Sequence, residues 1–131
     1  MNNIFKYLEI KKGRPIPLQY KLKNKMPLTK DDLYIEGDLD LWFSDYFLLP
    51  DDLTVNGSLD LYFSNMKTLP NNLTVNGCLY LELTNISDLP DSLNVEGNLF
   101  CRSTPLAKNF KTDLSLLTKY QKQIKGHIIH E

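Results

Sequence analysis

Apolar side chains return every twenty residues through the middle of this chain. DDLYIEGDLDLWFSDYFLLP (31–50) is followed by DDLTVNGSLDLYFSNMKTLP (51–70), NNLTVNGCLYLELTNISDLP (71–90) and a degraded copy, DSLNVEGNLFCRSTPLAKNF (91–110). Aligned, the copies give apolar columns. These are Leu33/Leu53/Leu73/Leu93, Ile35/Val55/Val75/Val95, Leu39/Leu59/Leu79/Leu99, Leu41/Leu61/Leu81/Cys101, Tyr46/Met66/Ile86/Leu106 and Leu49/Leu69/Leu89. Inside each copy they alternate with polar residues, so L-x-V and L-x-L predict short strands. Stacking copy on copy puts like columns above one another as parallel ladders about 4.8 Å apart.

Gly37, Gly57, Gly77 and Gly97 separate the two strands of each copy. A glycine there implies a corner with positive φ or close packing. Asn-Gly at 56–57 and 76–77 is also a hairpin signal, so self-contained antiparallel hairpins stand as the competing arrangement. Leu-Pro at 49–50, 69–70 and 89–90 turns the chain where no ladder donor is needed. Ser44, Ser64, Thr84 and Thr104 form a short hydroxylated column, read as buried hydroxyls bonding turn backbone, with ligand reading as the alternative.

The flanks do not follow the repeat. IFKYLEI (4–10) suits an alternating strand or a helical turn, and KKGRPIP (11–17) suits a turn and an extended piece. Residues 1–30 are read as an N-terminal cap, which a solenoid needs over its first exposed edge. After residue 110, Thr112 or Asp113 can cap a helix carrying Leu114, Leu117, Tyr120 and Ile124 near one face; Gly126 would end it and HIIH could form a last strand. The expected architecture is mainly β, in a single domain. It is a short parallel β-solenoid of four twenty-residue coils (31–110) between an N-terminal cap (1–30) and a helical C-terminal cap (111–131).

The motif L-x-L-x-x-[ST]-x-[MI]-x-x-L-P, as in LDLYFSNMKTLP, resembles a leucine-rich repeat in which Ser or Thr replaces the usual asparagine. The repeat length and the Leu-Pro are similar to the short repeats of secreted bacterial leucine-rich effectors, and L-P-x-x-L-x-V-x-G-x-L-x-L looks like solenoids encoded by bacteria, phages and prophages. The resemblance spans residues 31–110 and implies a stacked scaffold for binding. The effectors' ubiquitin-ligase domain has no counterpart in this sequence, so that activity is not carried over.

Charge adds polarity to this picture. Residues 1–30 hold eight Lys/Arg and one acid, 31–90 hold one Lys and eleven acids, and 91–131 hold six Lys/Arg and four acids. A basic segment thus precedes an acidic body, which bears on partners more than on fold. No apolar run reaches the roughly 20 residues of a membrane span, and MNNIFKYLEIKK is too charged for a signal peptide. Cys78 and Cys101 lie in different columns, which argues against a disulfide and for a reducing, cytoplasmic setting.

Candidate chemistry is sparse. No phosphate-cradling glycine loop or nucleophile–base arrangement stands out, and no cofactor or enzymatic activity is expected. His127 and His130 would need a further ligand, such as Glu131, to hold a metal, so none is assigned. The residues pointing away from the apolar columns are more telling: Asp40, Trp42, Asp60, Tyr62, Tyr80 and Glu82 would stack into an acidic and aromatic face. Such a face either binds a partner protein or only stabilises the ladder through cross-strand contact. The expected function is a non-enzymatic protein-binding module, and the resemblance to phage and prophage solenoids implies inhibition of a host protein as its setting. The alternative is an acidic nucleic-acid mimic filling a basic groove. Direct nucleic-acid binding through Lys11, Lys12, Arg14, Lys21, Lys23 and Lys25 is disfavoured, because the adjacent body is acidic and no aromatic stacking motif interleaves those residues. Stacking of solenoid ends leaves homodimerisation open.

Overall fold

The computed structural model of the chain describes residues 16–44 and 48–131. The readings for IFKYLEI, most of KKGRPIP, and Tyr46 lie outside the described residues. The chain divides into two compact units, 1–32 and 33–131.

In the first unit Pro17 opens a six-residue helix, α1 (Leu18–Lys23). Proline suits that place because its fixed φ and missing N–H do no harm at a helix start. The helix closes at Asn24, whose Nδ2 donates to the Tyr20 carbonyl at 2.9 Å. It is too short for an apolar period to announce it. Lys21 reaches Asp32 at 2.8 Å with both side chains largely buried. Burial pushes the Asp32 carboxyl up, but hydrogen bonds from Lys21 and the Thr29 N–H outweigh it and hold the group below its ordinary range.

The second unit is a parallel β-solenoid. Strands β1 (Tyr34–Glu36), β3 (Thr54–Asn56), β5 (Thr74–Val75) and β7 (Asn94–Val95) form one sheet. Strands β2 (Leu39–Asp40), β4 (Leu59–Asp60), β6 (Leu79–Tyr80), β8 (Leu99–Phe100) and β9 (Ile128–Ile129) form the other. Every pair between successive copies is parallel and offset by the repeat, as in Val55↔Val75 and Leu59↔Leu79. The two strands of one copy never pair with each other, which removes the hairpin arrangement. A type I′ hairpin needs positive φ at both central residues, and of the described glycines only Gly37 has it.

The apolar columns become the core. Leu53, Leu73, Val55, Val75, Val95, Leu59, Leu79, Leu99, Leu61, Leu81, Met66, Ile86 and Leu106 are fully buried. Coil spacing is set at the glycine corner. A Cβ on Gly57 would lie 2.5 Å from the Gly37 carbonyl, and one on Gly97 would lie 2.6 Å from the Gly77 oxygen. Beside it a second column meets the corner's own donors. Asp38, Ser58, Cys78 and Asn98 accept, with their side chains, the N–H groups of Ser58, Cys78, Asn98 and His127 at 2.7, 3.0, 3.4 and 2.8 Å. These bonds satisfy backbone donors that the corner takes out of the sheet ladder.

The hydroxyl column behaves unevenly. Thr84 and Thr104 donate to the Leu81 and Cys101 carbonyls at 2.7 and 2.6 Å. The Ser44 and Ser64 hydroxyls are buried without a partner.

The twenty-residue turns number about three, not four. The fourth copy starts as a rung, then returns through two helices, α2 (Pro105–Thr112) and α3 (Ser115–Gln121). Thr104 caps α2 by accepting from the Ala107 N–H at 3.1 Å, and Pro105 follows at its first position. Asp113 supports α3 by accepting from the Ser115 N–H at 3.0 Å. The α3 helix ends at Gln121, so Gly126 does not terminate it, and Leu114, expected on its packed face, is exposed.

Gly126 instead continues the glycine stack. Its N–H donates to the Gly97 carbonyl at 3.0 Å. Around it Val95 bridges Ile124, Leu99 pairs with Ile128 and Phe100 with Ile129, all in parallel. Residues 124–129 are therefore a fifth half-rung, displaced by 29 positions where the others are displaced by 20.

Gly126→Ala is expected to lower stability by about 1–3 kcal/mol, the usual range for overpacking. Its Cβ would overlap Asn98 and sit 2.6 Å from the Gly97 oxygen. Urea unfolding checks this against the exposed control Lys108→Ala, and equal midpoints for the two variants would remove Gly126 from the stack.

Candidate protein-binding ridge

Each L-x-L strand of the first three copies ends in a tight turn closed by a backbone bond. Ser44, Ser64 and Thr84 donate to the Leu41, Leu61 and Leu81 carbonyls at 3.2, 3.0 and 3.2 Å. The third residue of each turn is left-handed: Phe43 at φ 58°, Phe63 at 54° and Leu83 at 59°. That conformation keeps the coils bonded through the turn, since the Phe43 and Phe63 N–H groups donate to the Tyr62 and Glu82 carbonyls at 2.9 and 3.0 Å. It also ends the strand alternation. Had alternation continued, positions 43 and 63 would point into the core; here both rings point outward.

The result is a ridge of aromatic turns. Trp42, Phe43 and Phe63 are each about half exposed, at 51, 53 and 53%. Phe43 lies at its centre, with ring centroids 4.7 Å from Trp42, 5.8 Å from Tyr62 and 5.0 Å from Phe63. Leu83, also exposed, holds the corresponding place in the next coil. A bulky residue at positive φ is a genuine outlier. Left-handed backbone costs a non-glycine residue roughly 1–2 kcal/mol. Here the strained turns leave these side chains facing solvent.

The six residues expected from the pattern divide into three groups. Trp42 and Tyr62 join the ridge, linked through Phe43. Asp40 and Asp60 rim it and brace its turns. Asp40 accepts from the Trp42 N–H at 3.2 Å and from the indole Nε1 at 2.6 Å, and Asp60 accepts from the Tyr62 N–H at 2.9 Å. Tyr80 and Glu82 have other partners. Tyr80 stacks flat on Phe100, with centroids 4.8 Å apart and planes 5° apart. Burial, followed by the charges of Cys78, Asp60 and Asp38, raises the Tyr80 phenol above its ordinary pKa. Glu82 lies 3.5 Å from the Arg102 guanidinium. Pattern reading missed Phe43, Phe63 and Leu83. The only signal for the two phenylalanines is the aromatic pair, Trp-Phe and Tyr-Phe, closing two successive L-x-L strands, and Leu83 has none.

The other sheet presents a polar ladder. Asn56 Nδ2 donates to Glu36 at 2.8 Å, and Asn76 Nδ2 donates to Asn56 Oδ1 at 3.1 Å. The run ends at Glu96, whose carboxyl is held low by hydrogen bonds from Lys125 and Asn94. His127 and His130 flank β9. The His130 ring meets the Phe110 ring edge-on at 5.4 Å. Among the described residues no three His, Cys, Asp or Glu gather as a metal site, and no helix is long and apolar enough to cross a membrane. Both cysteines are free. Burial first, then the Glu82 charge, pushes the Cys101 thiol up to about 12, so it behaves as a small core apolar group.

No family model, curated protein or solved structure matches the chain.

Phe63→Asn tests whether the ridge serves the fold. Asparagine accepts the left-handed backbone and relieves about 1–2 kcal/mol, while the lost ring pair is worth about 0.5–1.5 kcal/mol. Unfolding should show stability unchanged or raised. A loss well beyond that pair energy would make the ring a structural element.

Proposed function

We propose that this chain is a non-enzymatic protein-binding module that captures its partner on the aromatic ridge. One observation carries the reading. Trp42, Phe43, Tyr62 and Phe63 form a connected cluster of outward rings, two of them on strained left-handed backbone. Rigid aromatic side chains presented on a fixed scaffold are the side chains on which binding energy concentrates. The scaffold supports the same reading, because turns locked by coil-to-coil hydrogen bonds leave little loop entropy to lose on association.

The repeats are of the leucine-rich type by their leucine columns and Leu-Pro corners. By their likeness to solenoids of bacteria and phages, the setting we infer is inhibition of a host protein. The two free cysteines support a cytoplasmic location.

The double variant Trp42→Ala/Tyr62→Ala is expected to keep the circular-dichroism spectrum and urea midpoint of the parent. It should lose the partner in an affinity capture from host extract, since two hot-spot side chains are worth about 2 kcal/mol or more each. Capture of the same partner at the same yield would end the ridge reading. A partner kept by this variant but lost with Asp51→Asn/Asp52→Asn would favour the acidic nucleic-acid mimic instead.

A further inference from the structure

The ridge is aromatic, yet its surroundings are anionic. Described residues of 33–90 include Glu36, Asp38, Asp40, Asp51, Asp52, Asp60, Glu82 and Asp88, against the single cation Lys67. Among the described residues only Glu82 of these acids lies in an ion pair, with Arg102. A partner for this surface must therefore bring positive charge as well as fill the spaces between the rings.

The geometry of Asp40 and Trp42 narrows the choice of cation. The indole's only donor is already engaged, since Nε1–H donates to Asp40 Oδ2 at 2.6 Å. A half-exposed indole with its donor satisfied offers its π face. The carboxylate at its edge adds negative potential beside that face, and each carboxylate oxygen keeps a second lone pair for a further donor. Phe43 repeats the aromatic surface 4.7 Å away, and Tyr62 with Asp60 repeats the ring-and-carboxylate pair one coil on. A flat cation with donors around its edge satisfies both parts together. It lies against the ring and points N–H groups at the carboxylate. Guanidinium does this, whereas an ammonium is a compact, strongly hydrated point charge that meets one part at a time.

We infer that the ridge, if it is the binding surface argued above, receives arginine side chains, with guanidinium groups stacked on Trp42 and Phe43 and paired with Asp40 and Asp60. Its natural occupant is then a basic protein segment that presents arginines, rather than lysines, between apolar residues. The carboxylates act twice here, bracing the turns from within and meeting the partner's charge from outside.

Trp42 is the chain's single tryptophan, so its emission reports on the site directly. The full chain is titrated with three synthetic peptides of one sequence, carrying arginine, lysine or citrulline at the same positions. Citrulline keeps the shape of arginine and removes its charge. The arginine peptide should change Trp42 emission saturably and bind at least tenfold tighter than the lysine peptide, with no saturable response to citrulline. Asp60→Asn, which leaves the Trp42–Asp40 bond in place, should weaken the arginine peptide severalfold and leave the urea midpoint near that of the parent. Equal affinity for arginine and lysine would reduce the effect to charge attraction and overturn the inference. So would the absence of any saturable response to arginine. If the arginine peptide fails while Trp42→Ala/Tyr62→Ala still abolishes partner capture, the guanidinium assignment is wrong and the ridge stands. If that double variant keeps its partner, the ridge itself is wrong.

Discussion

A backbone carbonyl occupies the place where a side chain would begin. From Gly57 onward each corner glycine rests on the glycine of the coil before it, and a Cβ there would fall within about 3 Å of that backbone. The contact is donor to acceptor as well as surface to surface, with Gly77, Gly97 and Gly126 each donating to the preceding glycine carbonyl at 2.8, 2.9 and 3.0 Å. It fixes the coil-to-coil distance at the corner, and the strands on both sides inherit that distance and its register. Leucine stacks on leucine and valine on valine because the corner permits no slip. The fully buried columns are then filled by side chains of matched size, which explains why the copies differ so little at those positions.

The same rigidity reaches the surface. The turns after Leu41 and Leu61 sit on a ladder whose position is already set, so a left-handed phenylalanine can be held there by bonds to the next coil. A free loop would relax out of that conformation. The ridge is thus a product of the stack, with its rings fixed in relation to one another. Its carboxylates belong to the same construction: Asp40 and Asp60 hold turn backbone and also give the surface its sign. On a repeat scaffold the invariant positions build, and the positions that vary between copies are free to recognise.

Much of this was legible from the period alone. The columns and the parallel pairing follow from a pattern of twenty that never slips over 31–90. Asn-Gly remained ambiguous because one dipeptide serves both a hairpin and a stacked corner; what separates them is the neighbouring coil, which no local window contains. HIIH was legible as a last strand and forms β9, but its place as a fifth half-rung of the stack was hidden for a different reason. Two helices lengthen its return to 29 residues, and isoleucine replaces the usual valine and leucine, so Ile124, Gly126 and Ile128 no longer fall in their columns when the sequence is cut in twenties. The read-out of the site was partial. Trp42 and Tyr62 were found as outward residues, but Phe43 and Phe63 were not, because a left-handed turn is normally announced by glycine or asparagine and here carries phenylalanine. Tyr80 and Glu82 shared the outward pattern, yet their contacts run to Phe100 and Arg102, on a later coil.

Amide hydrogen exchange at the glycines tests the central claim most directly. If the stack organises the solenoid, the Gly77, Gly97 and Gly126 amides should exchange only through opening of the whole unit, as the slowest amides of a cooperative core do. Gly126 would then be as protected as the inner two despite lying outside the repeats. Exchange of the Gly97 or Gly126 amide at the rate of an exposed loop, while the Val75 amide stays protected, would contradict it and leave the strands to set their own register.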